Sequence, residues 1–154
     1  MYKKILVPLD GSKFAESALG HAREIARASS VEKLILLRVI EPIIVDVKDF
    51  IAAERVREAE EKREARAREY LKKTAAELKK DNIPVETKLV VDGEPAEKIL
   101  EVAEDEKVDL IIMSTHGRSG FQQWVFGSVA HRVLVHSSIP ILMVVPGAGR
   151  KSQK

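Results

Sequence analysis

Five short, mostly apolar segments alternate along the chain with four longer segments whose apolar residues recur at helical spacing. The apolar segments span residues 4–9, 31–40, 85–91, 108–113 and 141–145. Four of these segments are largely continuous apolar runs, which are typical of strands buried on both faces of a parallel sheet. Residues 85–91 alternate in part and are also predicted to form a strand. The helical spacing predicts helices over residues 14–28, 50–80, 95–103 and 128–136.

This alternation of strands and helices predicts an α/β fold of the doubly wound, Rossmann-like type. We expect a five-stranded parallel sheet of order 3-2-1-4-5 with helices on both faces. In such sheets a ligand binds beyond the carboxyl ends of the strands, where the strand order reverses. The reversal lies between the first and fourth strands. Residues 8–12 and 114–128 therefore converge on one predicted site.

The second predicted helix is unusually long. At 1.5 Å per residue it would measure roughly 45 Å, whereas a domain of this length should be about 40 Å across. Part of it must overhang, break or contact a second subunit. Its charged middle offers Glu58–Lys62 and Glu64–Arg68 at the favourable spacing, and acids interleave with bases, which favours a solvated face over a nucleic-acid surface. The apolar residues expected to dock its two ends are Ile51, Val56, Tyr70, Leu71 and Leu78.

Composition narrows the classes of function. The 154 residues carry a net charge of only +2, which predicts no strong attraction to nucleic acid or to a membrane surface. Because the chain has no cysteine, disulfides, thiolate metal sites and cysteine nucleophiles are excluded. No apolar run is long enough for a signal peptide or a membrane span, so we expect a cytoplasmic protein. One domain over residues 1–146, followed by a polar tail over 147–154, is the simplest organisation.

The loop after the fourth strand carries the clearest chemical signal. Gly117 follows that strand, and Gly127 with Ser128 opens the last helix. Glycine allows close backbone approach, and the amides at a helix start bind anions, so the loop is expected to hold phosphate. Arg118 could meet that phosphate, although a loop arginine is more often solvated. Trp124, Val125 and Phe126 are expected to anchor the loop to the core.

Two residues at other strand ends have open roles. Asp10 could hold a ribose hydroxyl or a phosphate-bound metal, or it could serve only as a turn residue, and the sequence does not separate these roles. Val39 could offer its backbone to a base edge, although its residue type favours a core position.

Several familiar catalytic motifs do not fit. His116, His131 and His136 match no metal-binding spacing and are expected to be structural or exposed. The chain contains no G-x-x-x-x-G-K-[ST] motif, and no G-x-G-x-x-G follows the first strand. Ser119 lacks the G-x-S-x-G spacing of a serine hydrolase. Binding without an obvious general base remains.

The chain resembles the universal stress protein family over about residues 2–146. The matching segments are residues 5–12, 93–95, 113–120, 127–130 and 139–146. Nucleotide-binding members carry G-x2-G-x9-G-[ST], which Gly117, Gly127 and Ser128 match with the expected nine-residue spacing. The chain departs from this pattern at Ser114, which stands in place of the first glycine and brings a Cβ close to the expected phosphate or ribose.

The resemblance implies a fold like that of the adenine nucleotide alpha hydrolases and an ATP-binding, stress-response regulatory protein. ADP or AMP could replace ATP, with Mg²⁺ or Mn²⁺ carried on the phosphates. The implied nucleotide contacts are Pro8, Leu9, Asp10, Val39, Met113, Ser114, Gly117, Arg118, Gly127, Ser128 and Val129. It also implies a homodimer through the last strand, residues 141–145.

Two alternatives stay open beside that implied function. The first is a slow metal-dependent ATPase or phosphotransfer enzyme that uses Asp10. The second is a dimeric interaction protein without a nucleotide, which the serine at position 114 keeps open.

Overall fold

The computed structural model describes residues 1–117 and 126–147 of the chain. Its strands and helices follow the predicted succession, and most boundaries agree with the hydrophobic pattern to within two residues. In chain order they are β1 (Lys4–Pro8), α1 (Lys13–Ser29), β2 (Lys33–Ile40), α2 (Phe50–Lys79), β3 (Val85–Val91), α3 (Pro95–Asp105), β4 (Leu110–Ser114), α4 (Ser128–His136) and β5 (Ile141–Val144).

The strands form one sheet of order β3-β2-β1-β4-β5, and every neighbouring pair is parallel. The predicted fold class and strand order are therefore confirmed. Leu6 in the central strand β1 lies in register with Ile35 of β2 and Ile111 of β4. The β1–β2 pairing runs past the end of β1, because the Leu9 N–H donates to the Leu37 carbonyl at 2.8 Å. This hydrogen bond extends the pairing of β1 with β2 by one residue toward the carboxyl edge of the sheet.

The apolar residues of the strands pack on both sides of the sheet. Ile5 and Val7 face the side that α1 and α2 cover, whereas Leu6 faces the side of α3 and α4. Each helix contributes small and branched residues to this packing, such as Ala18 of α1 and Val133 of α4. A sheet buried on both faces explains why the strands read as continuous apolar runs.

The helix starts are capped by different means. The Ser12 hydroxyl accepts from Ala15 N at 3.1 Å, and the Asp49 carboxylate accepts from Ala52 N at 2.7 Å. Glu94 caps α3 through Glu97 N at 2.9 Å. By contrast, α4 begins at Gly127 without a side-chain cap. Its first amides therefore lack the acceptor that the other three helices of the described chain supply.

The long helix α2 docks at one end only. Leu71 and Leu78 in its C-terminal half are buried against the sheet, whereas Ile51 near its start is 64% exposed. The expected docking of Ile51 is therefore wrong. The physical reason is length, since 30 helical residues outrun the sheet beneath them.

The ion pairs of α2 also differ in part from the expected ones. Arg68 and Glu64 pair at 2.8 Å, as the sequence predicts. Glu58 and Lys62 form no ion pair among the described residues. Instead, Arg57 bridges two glutamates of the same helix, Glu54 at 2.8 Å and Glu61 at 2.7 Å.

Two expectations near α4 are also wrong. The apolar spacing of this helix predicts that Val129, Val133 and Leu134 face inward. Leu134 is instead 44% exposed, because the buried stripe runs through Ala130 and Val133 and the next residue turns roughly 100° away. Phe126 is 42% exposed and so does not anchor the loop in the core. The other two predicted anchors, Trp124 and Val125, lie outside the described residues.

None of the helices in the described part of the chain combines the length and the apolar character that a bilayer crossing requires.

Candidate functional site

A cavity of about 360 Å³ opens beyond the carboxyl ends of β1, β2 and β4 and beside the first turn of α4. It lies where the strand order reverses. Ten of the eleven predicted site residues line it. They are Pro8, Leu9, Asp10, Val39, Met113, Ser114, Gly117, Gly127, Ser128 and Val129. Arg118, the eleventh, lies outside the described residues.

Asp10 contacts both chain segments that meet at the cavity, the turn after β1 and the residues after β4. One carboxylate oxygen, Oδ1, accepts from Ser12 N at 2.9 Å, which is the turn role considered from the sequence. The other oxygen, Oδ2, lies so close to Gly117 that a Cβ added there would sit 2.6 Å away. A side chain at position 117 would thus displace the carboxylate. Glycine at this position lets two segments more than 100 residues apart in sequence approach each other without moving the Asp10 carboxylate.

The end of β4 is shaped by short polar contacts. Thr115 N donates to the Val144 carbonyl at 2.9 Å, which extends the pairing of β4 with β5. The Ser114 side chain is buried, with 6% exposure, and its Oγ accepts from His116 N at 3.2 Å. Ser114 stands where the family pattern has a glycine, and its hydroxyl forms a hydrogen bond within the turn. Thr115 Oγ1 and His116 Nδ1 lie 2.8 Å apart, which orients the imidazole at the cavity wall.

Gly127 brings the start of α4 to the cavity. Its N–H donates to the Thr115 carbonyl at 2.9 Å, so residues 115 and 127 close the base of the intervening loop. A Cβ at Gly127 would meet its nearest neighbour, Thr115 O, at an ordinary 3.5 Å, and φ is −57°. Neither the backbone conformation nor the atoms of the described residues around it require glycine here. Ser128 and Val129 follow at the cavity wall, where helix-start amides favour an anion.

The sequence did not single out the charged residues that also line this cavity: Arg38, Glu41 and Arg63. The Arg63 guanidinium donates to the Glu41 carbonyl at 3.1 Å, so the middle of α2 reaches the cavity rim. Arg38 is the one charged residue inside the apolar run of β2, and that isolation was a usable signal. Arg63 carries no such signal, because α2 is charged along most of its length.

The cavity offers few ligands for a metal ion. Within the described residues, no group of three or more His, Asp or Glu side chains could hold one. The acids at the cavity wall are Asp10 and Glu41. A divalent cation would therefore depend on oxygens of a bound ligand and of water, as Mg²⁺ commonly does beside phosphates. Of the three histidines considered from the sequence, His116 lines the cavity, whereas His131 and His136 are exposed on α4.

Sequence comparison finds relatives that span almost the whole chain. Universal stress protein MJ0577 from Methanocaldococcus jannaschii is 35% identical over 155 residues, covering 94% of this chain and 95% of its own length. A universal stress protein from Thermus aquaticus is 33% identical over 144 residues, with 94% and 99% covered.

Solved structures agree with these relatives. The structure of MJ0577, at 36% identity, superimposes with a TM-score of 0.83 and covers 94% of this chain and 96% of its own. A universal stress protein in complex with cAMP is 26% identical with a TM-score of 0.69, covering 94% and 97%.

The sequence model described as the universal stress protein family matches residues 1–145. This range includes the five strands, the four helices and the described residues that line the first cavity. The chain belongs to the universal stress protein family.

Proposed function

We propose that this protein binds an adenine nucleotide, ATP with Mg²⁺ or Mn²⁺ on its phosphates, and acts as a stress-response regulatory protein. The observation that carries the proposal is the convergence of ten residues, from four separate parts of the chain, on one cavity at the switch point of the sheet. Its volume of about 360 Å³ is within the range of small-ligand sites.

In this proposal the cavity wall divides into an apolar side and an anion-binding side. Pro8, Leu9 and Val39 supply apolar surface for adenine, and the Asp10 carboxylate accepts from a ribose hydroxyl. The phosphates lie at Gly117 and at the uncapped start of α4. The backbone N–H groups and the positive end of the helix dipole attract an anion there. Arg118 and Met113 complete the proposed contacts. The phosphates and water would hold the metal ion, because the wall supplies few carboxylates.

The nucleotide class is supported by the related protein whose structure was solved with cAMP. That ligand shares adenine and ribose with ATP but carries a single phosphate. The support therefore extends to an adenine nucleotide. The choice of ATP rests on the uncapped α4 start and on the glycine spacing that this chain shares with nucleotide-binding members.

Two measurements test the proposal. Protein purified without added nucleotide should release an adenine nucleotide that mass spectrometry identifies. Calorimetry with ATP and Mg²⁺ should give a dissociation constant on the order of micromolar. If millimolar ATP, ADP and AMP all produced neither heat nor a thermal shift, the nucleotide proposal would fail and the dimeric interaction protein would be the better account.

We also propose that the protein forms a homodimer through β5. This strand is at the sheet edge, and the carbonyls of Pro140 and Val144 accept from Ile111 N and Thr115 N of β4 or its extension. Because alternate residues of a strand direct their backbone groups to opposite sides, residues 141, 143 and 145 present theirs away from β4. An uncovered apolar edge of this kind favours pairing with a second chain.

A further inference from the structure

A second cavity of about 330 Å³ lies between the turn that follows β1 and the inner face of α2. Guanidinium groups dominate its wall. The residues that line it are Gly11, Arg38, Ile40, Arg63, Arg66, Ala67 and Tyr70. Arg63 and Arg66 place two cationic groups at this wall, and their mutual repulsion is relieved when an anion enters.

The arginines of α2 differ in what they contact. Arg57 and Arg68 face solvent and pair with glutamates of the same helix. Arg63 and Arg66, which line the second cavity, form no ion pair with any acid among the residues that the structure describes. The contact found for Arg63 is a neutral one, to the Glu41 carbonyl at 3.1 Å. The cavity side of the helix thus presents cationic side chains without carboxylate partners.

Two residues that line this cavity, Arg38 and Tyr70, contact neighbouring segments. The Arg38 guanidinium packs on Gly11, where an added Cβ would lie 2.9 Å from Nη1 and where φ is +85°. The Tyr70 hydroxyl donates to Glu16 Oε1 at 3.0 Å. Burial, and next this bond to Glu16, raise the pKa of Tyr70, while the nearby Arg38 opposes that shift. Because the Tyr70 hydroxyl already donates to Glu16, the guanidinium groups of Arg63 and Arg66 are the donors at this wall that face a ligand.

We propose that this second cavity binds a phosphate group, either as a separate anion or as a second phosphate of the nucleotide, in which case the inference rests on the function proposed above. The planar donor pairs of arginine match phosphate oxygens in a bidentate manner, which lysine cannot do. None of the described residues that line this cavity is acidic, and the Glu16 carboxylate beside Tyr70 is engaged with the Tyr70 hydroxyl.

The phosphate has two possible sources. Both cavities share Arg38, Ile40 and Arg63 as wall residues, so a nucleotide in the first cavity could place a second, ribose-linked phosphate in the second. Alternatively, a free phosphate or pyrophosphate enters alone. The chemistry of recognition is the same in both cases, and the ligand that responds to substitution distinguishes them.

Arg66→Gln is the decisive variant, because Arg66 lines the second cavity and not the first. Arg68→Gln is its matched control, two residues along the same helix and paired with Glu64 outside both cavities. Both residues are exposed, so neither change should unfold the protein. The probes are inorganic pyrophosphate, adenosine monophosphate, and adenosine bisphosphates with their second phosphate on the ribose, each titrated by calorimetry.

We expect Arg66→Gln to weaken pyrophosphate binding about tenfold or more, the loss typical of one charge-assisted hydrogen bond, with Arg68→Gln close to wild type. Adenosine monophosphate should bind all three proteins equally. If bisphosphates bind more tightly than the monophosphate and only Arg66→Gln removes that advantage, the phosphate belongs to the nucleotide. If only pyrophosphate responds, it is a separate anion.

The proposal is overturned if Arg66→Gln and Arg68→Gln behave alike, or if wild-type protein binds neither pyrophosphate nor the second phosphate. Failure of nucleotide binding is a separate result, since the pyrophosphate titration needs no nucleotide. Repeating that titration in Gly127→Val protein excludes binding at the start of α4.

Discussion

Gly117 and Gly127 in the loop after β4 look equivalent in sequence and differ in structure. A Cβ at Gly117 would lie 2.6 Å from Asp10 Oδ2, so that carboxylate would have to move. Gly127 has room for a Cβ among the described residues, with its nearest neighbour at 3.5 Å. The nucleotide proposal accounts for glycine at this position by the close approach of a phosphate. Substitution at position 127 can separate binding from folding.

Gly127→Val is expected to remove nucleotide binding, because its side chain would cover the start of α4 where the phosphates are proposed to lie. Stability should fall by only about 1 kcal/mol, since the cost is that of a poorer helix cap. Calorimetry and thermal unfolding measure the two effects. Gly20→Ala is the control, at a helical position with no heavy atom within 4 Å of the added Cβ. Unchanged ATP affinity in Gly127→Val would rule out the proposed site.

Asp10→Asn tests the role of the carboxylate without removing the oxygen that accepts from Ser12 N. We expect ATP affinity to fall about tenfold, as for loss of one hydrogen bond to a charged group, with the fold retained. Hydrolysis of ATP is followed in parallel. Rapid turnover by the wild type that disappears in Asp10→Asn would favour the metal-dependent enzyme over the regulatory binding protein.

For the long helix α2, the local sequence pattern predicts the boundaries but not the docking. Its boundaries could be predicted to within one residue, because the helical signal is local. Its docking could not, since apolar residues stand near both ends and only the C-terminal half lies over β2 and β3. The same reach of α2 over β2 brings Arg63 and Arg66 to the cavities, which no spacing rule foretold.

Tyr70→Phe probes how α2 docks on α1. The change removes the hydroxyl that donates to Glu16 and should lower the free energy of unfolding by about 1 kcal/mol. The folded-state pKa of Tyr70 is raised above the unfolded value of about 10, so this contribution is fully present below about pH 10 and is lost as pH rises toward the folded pKa.

Urea denaturation at pH 7 and above pH 10 would measure the effect of Tyr70→Phe, with the exposed Tyr2→Phe as the control. Equal stability of Tyr70→Phe and wild type at pH 7 would show that the hydrogen bond contributes nothing to docking.

The surface feature that bears on assembly of the whole molecule is the edge of the sheet at β5. Val145 follows β5, is half exposed, and should direct its N–H away from β4. Val145→Pro removes that donor while leaving the β4–β5 bonds in place, so we expect the dimer to dissociate. Val145→Thr keeps the N–H and is the matched control. Light scattering coupled to size exclusion reads the mass directly.

Two outcomes of the Val145→Pro experiment would contradict the β5 dimer. One is a wild-type protein that is monomeric at all concentrations tested. The other is a Val145→Pro variant that stays fully dimeric, which would place the interface elsewhere on the surface.

Much of the candidate site could be predicted because the sequence features that mark it extend over only a few residues. Apolar runs identify the strands, and turn residues such as Asp10 and Gly117 mark the ends of those strands. A parallel sheet with connecting helices then brings those ends to one edge. The missed residues, Arg38 and Arg63, act through contacts with Gly11 and Glu41 that local pattern does not encode.

The sequence by itself determined the order of elements, the sheet buried on both faces and the meeting of residues 8–12 with the loop after β4, because hydrophobic periodicity and turn chemistry are local properties. Only the tertiary structure decided which glycine lies against Asp10, how far α2 overhangs the sheet, and that Arg63 and Arg66 of this helix line a second cavity. Those features depend on distances between segments far apart in the chain, which packing sets and spacing along the sequence does not.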